Sequence, residues 1–339
     1  LVSAASRTEP LAILFTSAGR RVELLRAFQA AFTEVGIPGK VVVTDLDPLA
    51  PAFQVADSGY VVPGNQDPEY VPALVRICHA ESIRLIFPLL DPDIPVLAKA
   101  RDQLEATGAR LAALGAAQAQ MTFDKLATAE MFSRLSVPHP KTWTAEQAST
   151  LDLRFPVFIK PRFGSAGKHA FRAEDRRTLE SLQLHVPDPV VQEYIEGPEV
   201  TNDVACSLGG EVWAVVSRRR IEVRWGEVAK GVTEHDPEVE RQCVAIARGL
   251  EARGPITIQC LRAKEGAIFT EVNARFGGGV PLGIAAGVPS PAWYVAEAAG
   301  LPVHPPPIGT YQTGLYLTRY DGSFFLAESD VERIARRRF

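Results

Sequence analysis

Cysteine is scarce in this chain, with four in 339 residues. Cys78, Cys206, Cys243 and Cys260 are far apart and form no Cys-x-x-Cys pair, which argues against a disulfide framework and predicts buried thiols in a reducing compartment. The six histidines fall singly, at 79, 139, 169, 185, 235 and 304, without zinc-ligand spacing. No apolar run reaches the roughly 20 residues of a membrane span. Residues 1–10 have neither the apolar core nor the cleavage pattern of a signal peptide. An excess of one charge is also lacking: 36 Lys and Arg stand against 40 Asp and Glu, a formal net charge of -4. That balance gives no general attraction for nucleic acid or an anionic membrane, so any anion site must be a local cluster. Repeats, low-complexity tracts, heptads and Ser-His-Asp or Cys-His arrangements are missing too. These absences predict a cytoplasmic protein acting on small molecules, with no nucleic-acid and no membrane partner.

The length leaves room for two or three domains. From Leu11 to about Leu114, short β-rich runs (Ala12–Phe15, Lys40–Thr44, Leu85–Pro88, Arg110–Leu114) alternate with helical spacing at 20–32, 68–80 and 94–106. This is the pattern of a three-layer parallel α/β unit. A helix is expected over 121–137, ended by Pro138-His-Pro140. Strand signals dominate from Val157 to Ser217, interrupted by a helix at 176–184, and a further helix spans 237–252.

Beyond that helix, Ile256-Thr-Ile-Gln-Cys-Leu261 and Ile268-Phe-Thr-Glu-Val-Asn273 read as a hairpin. Residues two apart on a strand share a face, so Glu271 and Asn273 point the same way. A three-residue loop Lys264-Glu265-Gly266, with Gly266 left-handed, puts Gln259 opposite Glu271. Such a set of hard oxygen atoms suits magnesium completed by substrate phosphates; a solvated hairpin face is the other reading. Upstream, Lys160 ends an apolar strand and precedes Gly164-Ser-Ala-Gly167, whose small residues can present backbone amides to an anion or merely form a hairpin turn. It is not a P-loop: the first glycine is missing and His169 stands where Ser or Thr is required. Val190-Val-Gln-Glu-Tyr-Ile-Glu-Gly-Pro-Glu199 is an apolar strand running into acids and a Gly-Pro turn.

Taken in chain order, Thr16-Ser-Ala-Gly-Arg-Arg21, Asp45-Leu-Asp-Pro48, Asp124-Lys125, Lys160 with its loop, Gln192 to Glu199, Gln259 and Glu271-Val-Asn-Ala-Arg275 cover most of the chain. From about Leu11 to Tyr320 it resembles the carbamoyl-phosphate-synthase-type branch of the ATP-grasp superfamily, as one grasp unit. The resemblance implies an α/β and α+β fold: a Rossmann-like pre-grasp domain (1–115), a connecting helix with a small lid lobe (116–200), and a C-terminal lobe with a metal site (201–339). It implies that Lys125, Lys160 and the Gly164, Ser165 and Gly167 loop hold ATP phosphates. The segment of Glu193, Tyr194 and Ile195 would meet adenine, and Glu199 the ribose. Glu271 would bridge two Mg²⁺ ions, with Gln259 and Asn273 each completing one site and Mn²⁺ as a substitute. Arg275 would face the transferred phosphoryl group.

Ser217-Arg-Arg-Arg-Ile-Glu-Val-Arg-Trp-Gly-Glu-Val-Ala-Lys-Gly231 concentrates basic residues around Trp225. A solvated hairpin and a loop over the active site compete here; in the second, Arg219, Arg224 and Lys230 would bind a carboxylate or phosphate. Thr16, Ser17 and Arg20 follow the first strand, where open α/β sheets bind ligands, and Asp93 is expected to cap a helix. The implied activity is an ATP- and magnesium-dependent ligase that activates a small carboxylate as an acyl-phosphate and couples it to an amine, releasing ADP and Pi. A homodimer is compatible with it. The alternatives are carbamoyl-phosphate chemistry on bicarbonate or carbamate, and an inactive nucleotide-binding regulator. The single grasp unit counts against the first; the presence of Lys125, Lys160, Gln259, Glu271 and Asn273 counts against the second.

Overall fold

The structure, a computed structural model, describes residues 10–164, 167–224 and 226–337. These residues form two compact units, each built around its own sheets.

The first unit comprises 10–112, 289–304 and 322–337 among the described residues. Its strands β1 (Leu11–Thr16), β2 (Gly39–Asp45), β3 (Ser58–Val61), β4 (Ile83–Pro88) and β5 (Arg110–Leu111) form a parallel sheet in the order β3-β2-β1-β4-β5. β1 is buried along its whole length, as expected of a central parallel strand covered on both faces. Three departures from expectation have local causes. β3 is absent from the sequence reading because Ser58-Gly-Tyr-Val is short and opens on two small residues. The helix expected at 94–106 is two, Asp93–Lys99 and Arg101–Glu105, meeting at Ala100. The last strand is only two residues long.

The C-terminal boundary also differs. Residues 289–304 and 322–337 pack with the first unit, not with a lobe running from 201 to the end. The reason is burial: helix Ser290–Ala298 lies on helix Val22–Val35, and its Tyr294 is fully buried, meeting Phe87 edge-on at 5.1 Å. Phe87 in turn stacks on Phe15 at 5.4 Å, and Phe28 meets Phe15 at 4.9 Å. At the β3 edge, Val61 N donates to Arg337 O (3.0 Å), just beyond helix Glu328–Arg336.

The second unit, 113–288 and 305–321 among the described residues, holds two antiparallel sheets. The smaller comprises β6 (Thr142–Thr144), β7 (Val157–Pro161), β8 (Phe171–Ala173) and β9 (Pro189–Glu193), in the order β6-β9-β7-β8. Leu153, Val157, Ile159, Leu179, Val186 and Val191 fill its core. The larger runs β14-β13-β10-β11-β12-β15, from β10 (Glu199–Cys206), β11 (Val212–Arg224), β12 (Glu227–Thr233), β13 (Gly254–Ala263), β14 (Gly266–Asn273) and β15 (Tyr316–Thr318). Alternation along β10 decides its faces: Val200, Val204 and Cys206 are buried on the side of helix Pro237–Gly249, while Glu199, Thr201 and Asp203 take the other side. The helix expected at 121–137 is broken at Asp124, which caps helix Lys125–Arg134 by accepting from Leu126 N and Ala127 N. All four cysteines are buried free thiols, and no described helix is long and apolar enough to cross a membrane.

Candidate active site

The register of the larger sheet assembles one polar face row by row. Arg218, Thr201, Gln259 and Glu271 are mutual partners across β11, β10, β13 and β14, and two residues along, Asp203, Thr257 and Asn273 make the next row. Directly opposed residues share a face, so Gln259, Glu271 and Asn273 converge. The hairpin reaches this register differently from expectation. Ala263 pairs with Gly266 around a two-residue turn, one residue shorter than expected, and a bulge at Thr270 returns the missing residue. Gly266 has a φ of 125°.

Gln259 Nε2 donates to Glu199 Oε1 at 2.5 Å. Only the amide NH₂ can donate to a carboxylate, so the Gln259 carbonyl oxygen is turned away from Glu199. The same Glu199 oxygen accepts from Arg220 Nη1 at 2.5 Å. Thr201 Oγ1, beside Gln259 in its row, is buried without a partner.

Lys160, at the end of β7, is buried. Burial pulls its ammonium down to about 8 against the Glu271 carboxylate; Lys125 lowers it further, and Glu199 opposes. The smaller sheet thus presents a cation within electrostatic reach of both carboxylates of the larger sheet. Lys125 follows the Asp124 cap and donates to Gly164 O (2.8 Å) and Arg162 O (3.4 Å), tying the glycine-bearing loop to its helix. Arg162 grips Asp124 through Nε (2.8 Å) and Nη2 (2.5 Å). Burial raises the Asp124 carboxyl, but Arg162 and the capped amides outweigh it and hold the group below the usual carboxylate range. Gly164 and Gly167 have φ values of 121° and 66°, which glycine adopts readily. Ser165, expected at the phosphates, and Trp225 lie outside the described residues.

Tyr194 and Ile195 belong to the connection between β9 and β10, outside both sheets. Arg172 lies over the Tyr194 ring at 4.5 Å, and Glu193 accepts from Lys141 N at 3.0 Å. Gly197 is required in this connection because a Cβ there would stand 2.2 Å from Arg262 O.

The basic run divides by alternation. Arg219 pairs with Val200 across the ladder, on the face opposite Gln259, and meets Glu234 at 3.5 Å. Lys230 and Arg224 both bind Glu222, at 2.7 Å each. The structure therefore does not bring Arg219 to the Gln259 face, and engages Lys230 within its own hairpin. Arg218 and Arg220, which the sequence reading passed over, occupy the site face; counting two residues from Glu199 through the paired strands would have found them. Arg275 sits in the turn after Asn273, its N donating to Asn273 O at 2.8 Å. In the first unit, Asp93 does not act as a cap: it is buried and accepts from Ser17 Oγ (2.6 Å), Tyr70 OH (2.8 Å), Asn65 Nδ2 (2.9 Å) and Thr16 Oγ1 (3.3 Å).

Among the described residues, no group of three or more His, Cys, Asp or Glu is arranged to hold a metal. A cation here would rest on the Glu271 carboxylate, the Gln259 and Asn273 amide oxygens and ligand phosphates, an all-oxygen set that fits Mg²⁺. The Gln259 carbonyl, turned away from Glu199, and the unpartnered Thr201 hydroxyl agree with that fit.

Residues 13–112 match the family described as PylC-like, N-terminal domain, and residues 185–318 match ATP-grasp in the biosynthetic pathway with Ter operon. The chain is 25% identical over 169 residues to a carbamoyl-phosphate synthase of Methanobrevibacter smithii, covering 48% of this chain and 45% of that one. It is 23% identical over 256 residues to the 3-methyl-D-ornithine–L-lysine ligase of Methanosarcina barkeri, covering 74% and 64%. The matches therefore span less than two thirds of either relative's length. Among solved structures, the biotin carboxylase domain of Hydrogenobacter thermophilus 2-oxoglutarate carboxylase, a dimer with MgADP, ADP and bicarbonate, superposes with a TM-score of 0.70 at 18% identity, covering 91% of this chain and 74% of that one.

Proposed function

We propose that this chain, a member of the ATP-grasp superfamily, is an ATP- and Mg²⁺-dependent ligase that joins a small carboxylic acid to an amine. One observation carries the reading: buried Lys160 on one sheet lies within electrostatic reach of Glu271 and Glu199 on the other, with Gln259 directly across from Glu271. ATP brings about four negative charges, and opposite charges about 4 Å apart interact by roughly 4 kcal/mol at an effective dielectric near 20. Lys160, Lys125, the 164–167 loop and Mg²⁺ would supply that compensation.

In the proposed reaction a carboxylate oxygen attacks the γ-phosphorus, and the bond from that phosphorus to the β–γ bridging oxygen breaks, releasing ADP. The amine nitrogen then attacks the acyl carbon, phosphate leaves, and the amine loses a proton. Mg²⁺, held by Glu271, Gln259 and Asn273 in one or two ions, would neutralise the migrating group. This chain's residues hold the reactants in line: Lys160 and Lys125 at the phosphates, the 193–195 connection at the base, Glu199 at the ribose, and Arg275 at the transferred phosphoryl group. With their charges engaged by Glu234 and Glu222, Arg219 and Lys230 would reach an acceptor only after exchanging those carboxylates for it.

ADP release measured against amino acids, hydroxy acids and bicarbonate, with and without amines, tests the reading. Turnover that needs both an acid and an amine is expected. Turnover on bicarbonate alone would support carbamoyl-phosphate-type chemistry, as the resemblance to a carbamoyl-phosphate synthase allows; tight ATP binding without turnover would support a regulator. Glu271→Ala should remove turnover while preserving the circular-dichroism spectrum, and an active variant would refute its metal role.

A further inference from the structure

Gly277-Gly278-Gly279 follows the strand bearing Glu271 and Asn273 after three intervening residues, and the larger sheet holds two of these glycines from beneath. A Cβ at Gly279 would lie 2.3 Å from Arg218 Cζ and 2.5 Å from both Nε and Nη1; one at Gly277 would lie 2.5 Å from Asp203 Oδ1 and 2.9 Å from Thr257 Oγ1. Only a backbone without side chains approaches a guanidinium this closely. The platform is itself fixed: Arg218 Nε donates to Asp203 Oδ2 at 2.7 Å and Nη2 to Oδ1 at 3.3 Å, with both side chains buried or nearly so. Thr257 Oγ1 donates to Arg275 O at 2.9 Å, and Arg319 Nη2 to Gly278 O at 2.5 Å, so carbonyls along the loop are pinned as well. A buried ion pair is often no more stabilising than well-packed apolar residues of the same volume, so its presence under this loop calls for a purpose besides stability.

We propose that Arg218 and Asp203 are positioning residues that set the 275–279 loop, and through it the Arg275 side chain, for phosphoryl transfer; this rests on the ligase reading above. On this proposal the pair acts through the loop it supports and not by direct contact with nucleotide or acceptor. Arg218 supports the loop as a rigid planar group, which a lysine cannot reproduce.

The test compares wild type, Gly279→Ala, Arg218→Lys, Arg218→Ala and the Gly279→Ala/Arg218→Ala double variant. MgADP affinity is read by calorimetry, kcat and KM for ATP by ADP release, and amide exchange of the 274–282 peptide by mass spectrometry. Gly279→Ala and Arg218→Lys should bind MgADP within about twofold of wild type while losing about a hundredfold in kcat, the scale of a misplacement near 1 Å. In the Arg218→Ala background the added methyl meets no guanidinium, so Gly279→Ala should cost less than about threefold further. Should Arg218→Ala not fold, Arg218→Met/Asp203→Leu replaces it as the background. Full kcat in Arg218→Lys, or losses that simply multiply in the double variant, would overturn the proposal. If wild type itself releases no ADP, the ligase reading fails separately; coupling of 218 and 279 in the exchange of 274–282 then decides the positioning role, and additive exchange effects would overturn it.

Discussion

Two roles can be tested at the Glu199 carboxylate. The resemblance assigns it to ribose, yet its Oε1 already accepts from both Gln259 and Arg220. A partner of this kind fixes which amide atom Gln259 would present to the proposed metal, and losing such a partner typically costs 10- to 100-fold in metal affinity. Glu199→Gln is therefore expected to weaken Mn²⁺ binding, followed by electron paramagnetic resonance without nucleotide, by about tenfold or more. Unchanged Mn²⁺ affinity with weakened ATP binding would confine Glu199 to the ribose.

Lys160 gives a pH signature with two opposite signs. Its folded-state value near 8 lies below the 10.5 of an ordinary lysine, so between those values the unfolded chain holds more protons and stability rises with pH. The charged, buried lysine costs stability fully below about pH 8 and stops doing so above about 10.5. Lys160→Met should accordingly be more stable than wild type at pH 7, with the advantage shrinking by pH 10 in urea titrations. Nucleotide binding should show the reverse preference, because a phosphate favours the protonated amine. ATP affinity should weaken as pH rises past 8, with proton uptake visible in buffers of different ionisation enthalpy, and Lys160→Arg should flatten that dependence.

At the scale of elements, the register of the Gln259–Glu271 hairpin is legible from spacing alone. Spacing two apart on Glu271 and Asn273 set their shared face, and this needs only a strand. The turn was expected with three residues and has two, while Thr270 forms a bulge; the two offsets cancel and leave Gln259 opposite Glu271. Alternation could not announce the bulge, since Thr270 suits either strand face. In the basic segment the clustered charges hide a division, because a strand sends neighbours to opposite faces. That is why Arg218 and Arg220 share the Gln259 face and Arg219 does not. The β9–β10 connection offers a test of close packing. Gly197→Ala would push a methyl into the Arg262 carbonyl, at 2.2 Å, and overpacking of this type costs roughly 1–3 kcal/mol. Urea unfolding should report that loss, and a neutral substitution would show that the connection can shift.

At the scale of the whole chain, what local pattern could not give was where distant segments return. The alternation of strands and helices from Leu11 onward announced a parallel unit, and its central strands lie where the apolar runs predict. Nothing in 289–304 marks it as part of that unit, because Trp293, Tyr294 and Val295 would suit the core of any neighbour. Tyr294 is nevertheless fully buried against Phe87, which stacks on Phe15 at the centre of the parallel sheet. Removing a buried aromatic side chain typically costs about 3–5 kcal/mol, a large part of a domain's marginal stability. Tyr294→Ala should lower the stability of the first unit by that order, read from hydrogen exchange of the Leu11–Thr16 and Ile83–Pro88 amides. Exchange of Val157–Pro161 in the second unit should stay near wild type. Equal loss in both would mean that the two units unfold as one, and no loss in the first would mean that 289–304 is dispensable to its core.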